Sequence, residues 1–170
     1  MIKVLYLLNH AGKAGTERYV YSLAERLNGK LIQAFFAYNE EGLLVERMQG
    51  LGVETYRIEM RHPFDLKAAW QLAKLCRRLD IDVIHTQFLR ENYISMLSRI
   101  FNPKVRVIYT NHFIMRNNFI TRVFNRLLSP LQFAVIAVCN RGRDMMISNG
   151  LDARKISVVF NGVDPDFWGE

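Results

Sequence analysis

The chain has 170 residues, half of them hydrophobic and 23% charged. That balance excludes a fibrous repeat or a disordered tail and gives room for one core domain but not for two complete ones. The formal charge is +7 and its excess is local: between Asn92 and Arg143 stand Arg99, Lys104, Arg106, Arg116, Arg122, Arg126, Arg141 and Arg143 without one Asp or Glu, a field that attracts phosphorylated small molecules, anionic lipid or nucleic acid without choosing among them.

Short runs rich in β-branched and aromatic residues alternate with segments of helical period, the pattern of βαβ units around a parallel sheet. Strands are expected near 2–8, 31–38, 53–58, 82–86, 105–110, 134–138 and 156–160, and helices near 16–28, 40–50, 65–79, 91–101, 118–129 and 140–149. The fold class that follows is α/β, a Rossmann-like three-layer sandwich with a mostly parallel central sheet of about seven strands. Thr16 is expected to cap the first helix, whose Val20, Leu23, Ala24 and Leu27 make an inward stripe ending before Gly29. Asp65 is expected to cap the third, with Leu66, Ala69, Trp70, Ala73 and Cys76 on one face. Residues 1–160 read as the domain and 161–170, with Gly162, Pro165 and Gly169, as a linker.

Cys76 and Cys139 lack the spacing of a zinc site or a disulfide framework and read as buried thiols of a reducing compartment. Ile2–Leu8 opens as a strand without the basic head and cleavage site of a signal peptide. No apolar run approaches the roughly 20 residues that cross a bilayer. The expected location is the cytoplasm, with any membrane contact peripheral.

Ligands of open α/β sheets bind outside the carboxyl ends of the strands, so the residues after each strand carry the candidate chemistry. Asn9–Glu17 holds Gly12 and Gly15 in a turn feeding a helix, which offers free N–H groups and a positive dipole end to phosphate, or else is simply a tight turn. The G-x-G-x-x-G fingerprint is absent, with Arg18 where its third glycine would stand, which disfavours NAD. His85 ends the fourth strand, where the bland reading is a hydrogen bond to a neighbouring loop. His112 follows the fifth strand in Thr110-Asn111-His112 and in a parallel sheet would enter the same crevice as the Gly15 turn. No metal site is expected from this spacing.

Between Phe113 and Phe133, Ile120, Val123, Phe124, Leu127, Leu128 and Leu131 recur at helical spacing among Arg116, Arg122 and Arg126. The preferred reading is a core-facing helix with a solvated arginine face. The alternative is a basic helix lying on an anionic membrane through Arg122 and Arg126. No aromatic pattern of an RNA-binding sheet is present, so no nucleic-acid partner is expected.

Together these segments resemble the N-terminal domain of the retaining glycosyltransferases of family four, which have the two-Rossmann GT-B architecture. The resemblance rests on Ala14-Gly15-Thr16-Glu17, similar to the family's Gly-Gly-x-Glu, and on Asp82-Val83-Ile84-His85 and Thr110-Asn111-His112. It rests also on Ala137-Val138-Cys139 with the following helix, and on Asn161-Gly162-Val163-Asp164 at the family's passage between domains. It implies transfer of a sugar from a nucleotide-diphosphate sugar to the hydroxyl of a sugar or lipid-linked acceptor, with retention and with no metal or other cofactor. His112 matches the family histidine beside the reacting sugar. Gly15, Thr16 and Glu17 would form the turn near the donor diphosphate or acceptor, with Glu17 bracing it, and His85, Asn111 and Arg116 would line the acceptor wall. Asn161, Gly162 and Asp164 would mark the interdomain passage. Ala14 and Cys139 depart from the family's glycine and serine. The family's donor-binding groups belong to a second domain, so this polypeptide alone is expected to be catalytically silent. A stand-alone module for an anionic ligand and half of a sugar-nucleotide epimerase are the alternatives.

Overall fold

The first strand shows how the sequence builds the sheet. In β1 (Ile2–His10) Leu5 and Leu7 face one side and Val4, Tyr6 and Leu8 the other, all buried, as a central strand covered on both faces requires. The computed structural model describes residues 1–162 and places β1 beside β2 (Ile32–Glu40) and β4 (Val83–Thr86). β3 (Glu54–Arg57), β5 (Arg106–Asn111), β6 (Ala134–Ala137) and β7 (Ile156–Val158) complete a seven-stranded sheet of order β3-β2-β1-β4-β5-β6-β7. Every pairing is parallel. The order reverses between β1 and β4, where open α/β sheets leave their crevice.

The helices α1 (Gly15–Leu27), α2 (Leu43–Gly50), α3 (Leu66–Leu79), α4 (Leu89–Phe101), α5 (Phe119–Leu128) and α6 (Asn140–Ser148) cover the two faces. Val20 and Ala24 of α1 and Leu44 and Met48 of α2 pack on Tyr6, Leu8 and Phe36; Ala69, Leu72 and Cys76 of α3 and Ile94 of α4 pack on Leu5, Leu7 and Ile84. The predicted elements are all present. β1 and β2 run two residues further than expected, and α2 starts at Leu43 because β2 continues through Glu40.

Asp65 caps α3, accepting from Lys67 N and Ala68 N, each at 3.1 Å, and from the Arg61 side chain at 3.0 Å. The Arg61 hydrogen bond, with those from the backbone, holds the carboxyl well below the usual carboxylate range despite its burial. Replacing Asp65 with Ala should cost about 2 kcal/mol by losing the cap. The half-exposed Arg61 contributes little of that. An unfolding midpoint in urea unchanged from wild type would contradict the assignment.

Four local expectations are corrected. Thr16 does not cap α1: the N-cap is Ala14, which has no capping side chain, and Thr16 is buried inside the first turn. Leu66 and Trp70 lie on the exposed edge of α3, because the sheet takes the arc through Ala68, Ala69, Leu72, Ala73, Leu75 and Cys76 instead. Cys76 is buried, but Cys139 is only half-buried and caps α6, accepting from Gly142 N at 3.3 Å where a serine hydroxyl would serve equally. The stripe of α5 faces the core only in part: Leu128 and Leu131 pack against Tyr93, Met96 and Val107, and Phe124 meets Phe64 at 4.7 Å, but the rest of it does not. Phe119, Ile120, Val123, Phe124 and Leu127 are exposed, and Asn125 is the residue that α5 buries.

Candidate functional site

The carboxyl ends of β1, β4 and β5 meet at the switch point, and each contributes a turn. The turn after β1 is held from three sides. Ala11 N donates to Glu40 O at 3.1 Å, and Leu44 N at the start of α2 donates to Ala11 O at 3.0 Å. The backbone there passes so close to Gly42 that an added Cβ would stand 2.3 Å from Ala11 O, so this contact admits no side chain. Gly42→Ala should destabilise the fold by about 1–3 kcal/mol through overpacking. A thermal midpoint matching wild type would refute that close approach.

Within this turn an added Cβ at Gly12 would meet the His10 ring at 2.9 Å and Glu17 Oε1 at 3.2 Å. Glu17 is buried with Oε1 beside Gly12, and its Oε2 lacks a protein partner. Gly15 opens α1 with no atom within 4 Å of where a Cβ would be. Open space therefore lies beside Gly15 at the start of the helix.

Beyond β4 and β5 the polar residues stand two apart, as the strand period dictates. His85 lies in β4 and Gln87 just after it; Thr110 lies in β5 and His112 just after it. His85 Nε2 and Thr110 Oγ1 share a hydrogen bond of 2.8 Å, and His112 Nε2 lies 2.9 Å from Gln87 Oε1. An amide oxygen only accepts, so His112 Nε2–H is the donor and Nδ1 is left as an acceptor. Tyr19, one turn into α1 from Gly15, joins the pairs. Its ring meets His112 edge-on at 5.0 Å and His85 at 6.5 Å. Tyr19 of helix α1 and the histidine after β5 thus meet at the switch point.

Burial, with His112 nearby adding a smaller effect, lowers His85 to about 4. Burial also lowers His112. Both imidazoles are therefore neutral near pH 7, suited to hydrogen bonding rather than to fixed charge. His85 is buried against Tyr6 and Thr110, in line with a supporting position.

Asn111 closes its own loop, donating to Phe113 O at 2.9 Å and accepting from Phe113 N at 3.1 Å. Arg116 is exposed five residues beyond β5. Asn161 and Gly162 are exposed after β7, and Asp164 lies outside the described residues. Among the described residues no group of three or more His, Cys, Asp or Glu side chains could hold a metal ion.

Sequence reasoning missed Tyr19, Gln87, Thr110 and Glu91. Gln87 was detectable in principle, since a polar residue two beyond His85 shares its side of the strand. Glu91 is fully buried in the first turn of α4 and accepts from Asn9 N at 2.5 Å, which ties the end of β1 to α4. Burial pushes its carboxyl up to about 7, against the opposing effect of its backbone hydrogen bonds and Arg90.

The model of Glycosyltransferase Family 4 matches residues 14–167. The chain belongs to that family. The glycosyltransferase domain is 20% identical to a glycosyltransferase from Rickettsia africae, with a TM-score of 0.80 over 99% of this chain and 45% of that one. It is 15% identical to HepE of Anabaena solved with UDP and glucose, with a TM-score of 0.79 over 99% of this chain and 46% of that one. These likenesses show the GT-B half-fold. In sequence it is 28% identical over 111 residues to the N-acetylgalactosamine-N,N'-diacetylbacillosaminyl-diphospho-undecaprenol 4-alpha-N-acetylgalactosaminyltransferase of Campylobacter jejuni, covering 60% of this chain and 30% of the relative. The domain thus spans less than half the length of each of these proteins.

Proposed function

We propose that this domain is the acceptor-side half of a two-domain enzyme that transfers a sugar from a nucleotide-diphosphate sugar to an acceptor hydroxyl with retention of anomeric configuration. The observation that carries the reading is the convergence of the open Gly15 turn and His112, through Tyr19, on one crevice at the switch point. In this reading residues 1–160 form the domain and 161–170 lead toward a second, donor-binding half. Without that half the domain binds the donor weakly and is silent.

His112 is the residue beside the reacting sugar. Kept neutral by burial, with its Nε2–H on Gln87, it uses Nδ1 to accept a hydrogen bond from a donor sugar hydroxyl and is not a nucleophile. The N–H groups at the start of α1, including that of Gly15, supply a positive end for the diphosphate or an anionic acceptor. Thr16 and Glu17 fix that turn from beneath, while His85, Asn111 and Arg116 shape the acceptor side. No metal or organic cofactor enters the scheme.

The Campylobacter relative is named for an undecaprenol-linked acceptor, which supports a lipid-linked acceptor here, in polysaccharide or glycolipid synthesis. The reaction is placed at the cytoplasmic face of a membrane, with the protein peripheral. Among the described residues no helix is long and apolar enough to cross one.

The test is a transfer assay of the longer protein containing both halves, run against a panel of nucleotide sugars with a polyprenyl-diphosphate sugar as acceptor. Label should pass from one donor into a lipid-extractable product. Tight binding of an anionic ligand with no turnover on any donor would instead identify a binding module.

A further inference from the structure

The sheet ends at β3, which among the described residues pairs with β2 alone. Ile58 N, just past the end of β3, donates to Tyr38 O at 2.7 Å. The backbone groups of successive strand residues point to opposite sides, so Glu54 and Tyr56 share the β2 side with Ile58, while Thr55 and Arg57 turn their N–H and C=O groups outward. Along this edge runs a groove of about 630 Å³ between β3 and α3, bordered by Tyr56, Ile58, Trp70 and Leu75. Its lining carries Arg57, Lys74 and Arg78 against one acid, Glu59. Aromatic rings hold the two cations of α3 in place: Lys74 Nζ lies 5.5 Å from the centroid of Trp70, and Arg78 Cζ lies 5.4 Å from that of Tyr56. Both cations are exposed, and no ion pair among the described residues joins either to a carboxylate.

We propose that this edge takes an extended acidic segment of a partner protein, which adds to β3 as a further strand and lays its carboxylates on Lys74 and Arg78. An open strand edge is a template for main-chain pairing, and the cations beside it select the guest. Lys74 and Arg78 stand four residues apart on α3, about 6 Å along the helix axis. Side chains on one face of a strand recur at about 7 Å, so acidic residues at alternate positions of the guest meet the two cations in turn. Because the rings already hold both cations, little ordering is left to be done on binding. A second copy paired through the same edge would bring its own Lys74 and Arg78 to this side of the sheet, cation against cation. The groove lies two strands away from β1 and the switch point, so the inference goes beyond the transferase reading and stands without it.

Fluorescence anisotropy of the chain with a short labelled peptide that alternates glutamate and threonine tests the proposal. This peptide should bind, and one of the same composition with its glutamates gathered in a block should bind more weakly. Lys74→Ala with Arg78→Ala should weaken binding about ten-fold, roughly three-fold per cation. Both side chains are exposed, so the variant should keep the wild-type thermal midpoint. Two further peptides carry N-methyl groups on every glutamate or on every threonine. One of them should lose about ten-fold in affinity and the other should not, because only one set of N–H groups faces β3. An alternating peptide that does not bind, a block peptide that binds equally, an alanine variant with wild-type affinity, or two methylated peptides that bind alike would each overturn the proposal. So would a dimer of the chain that excludes the peptide, because a second copy would then be the occupant. Because no turnover is measured, a failure here leaves the transferase reading untouched, and a failed transfer assay leaves this one untouched.

Discussion

In the longer protein, His112→Ala should lower kcat by about 10²–10³-fold, the range for removing one preorganised hydrogen bond at a reacting centre, while leaving the thermal midpoint close to wild type. The second half of the expectation follows from geometry. His112 is half-buried, and its Nε2 bonds to Gln87 rather than to the backbone of a core element. Truncation therefore removes a ring from an open site and leaves both strands paired. KM for the donor should change less than kcat, because the interaction proposed for Nδ1 strengthens as the donor sugar reacts. Gln87→Leu should reproduce part of the loss by freeing the ring. Wild-type turnover by His112→Ala at saturating substrate would remove this histidine from the mechanism.

The second large effect concerns stability against pH, and it comes from two buried groups with opposite shifts. Glu91 is raised from 4.5 to about 7, so the folded chain holds a proton between those values that the unfolded chain has released. Its contribution falls as pH rises through that window. His85 is lowered from 6.5 to about 4, so the unfolded chain binds the extra proton and stability falls as pH drops from 6.5 toward 4. Each amounts to about 3 kcal/mol, and the two slopes oppose one another between pH 4.5 and 6.5. Subtracting the wild-type profile isolates each group. The stability of Glu91→Gln relative to wild type should climb by about 3 kcal/mol between pH 4.5 and 7, and that of His85→Gln should fall by a similar amount between pH 4 and 6.5. Urea unfolding at several pH values measures both. Parallel profiles for Glu91→Gln and wild type would show that the buried carboxyl is not held protonated.

The sheet was legible because each central strand is a continuous apolar run and each helix a separate period. Local pattern and global fold agree there, as in Ile2–Leu8 and in the Asp65 cap. The faces of helices were less legible. Spacing in α5 announces an amphipathic helix, but which side is covered depends on Asn149 and Tyr93, distant in sequence, whose hydrogen bonds to Asn125 turn most of the apolar stripe outward while Leu128 reaches the cluster around Tyr93. Trp70 was misplaced for a related reason: α3 lays its alanines on the sheet, which turns the tryptophan to the edge. Thr16 fits a capping pattern, yet the chain enters the helix two residues earlier, at Ala14.

At the site, the histidines could be read from their places at strand ends. Their partners could not, because Tyr19 reaches them from another layer and Gln87 meets His112 across two strands. Glu91 looks like an ordinary first-turn acid of a helix. Only the packing of α4 against the end of β1 makes it a buried tie to Asn9.

The most direct test of the site is the structure of the longer protein with an intact nucleotide sugar bound. Nδ1 of His112 should lie within hydrogen-bond distance, about 3 Å, of a hydroxyl of the donor sugar, with the diphosphate between the domains near the start of α1. A donor sugar held away from the ends of β1 and β5, with His112 still paired only to Gln87, would contradict the account.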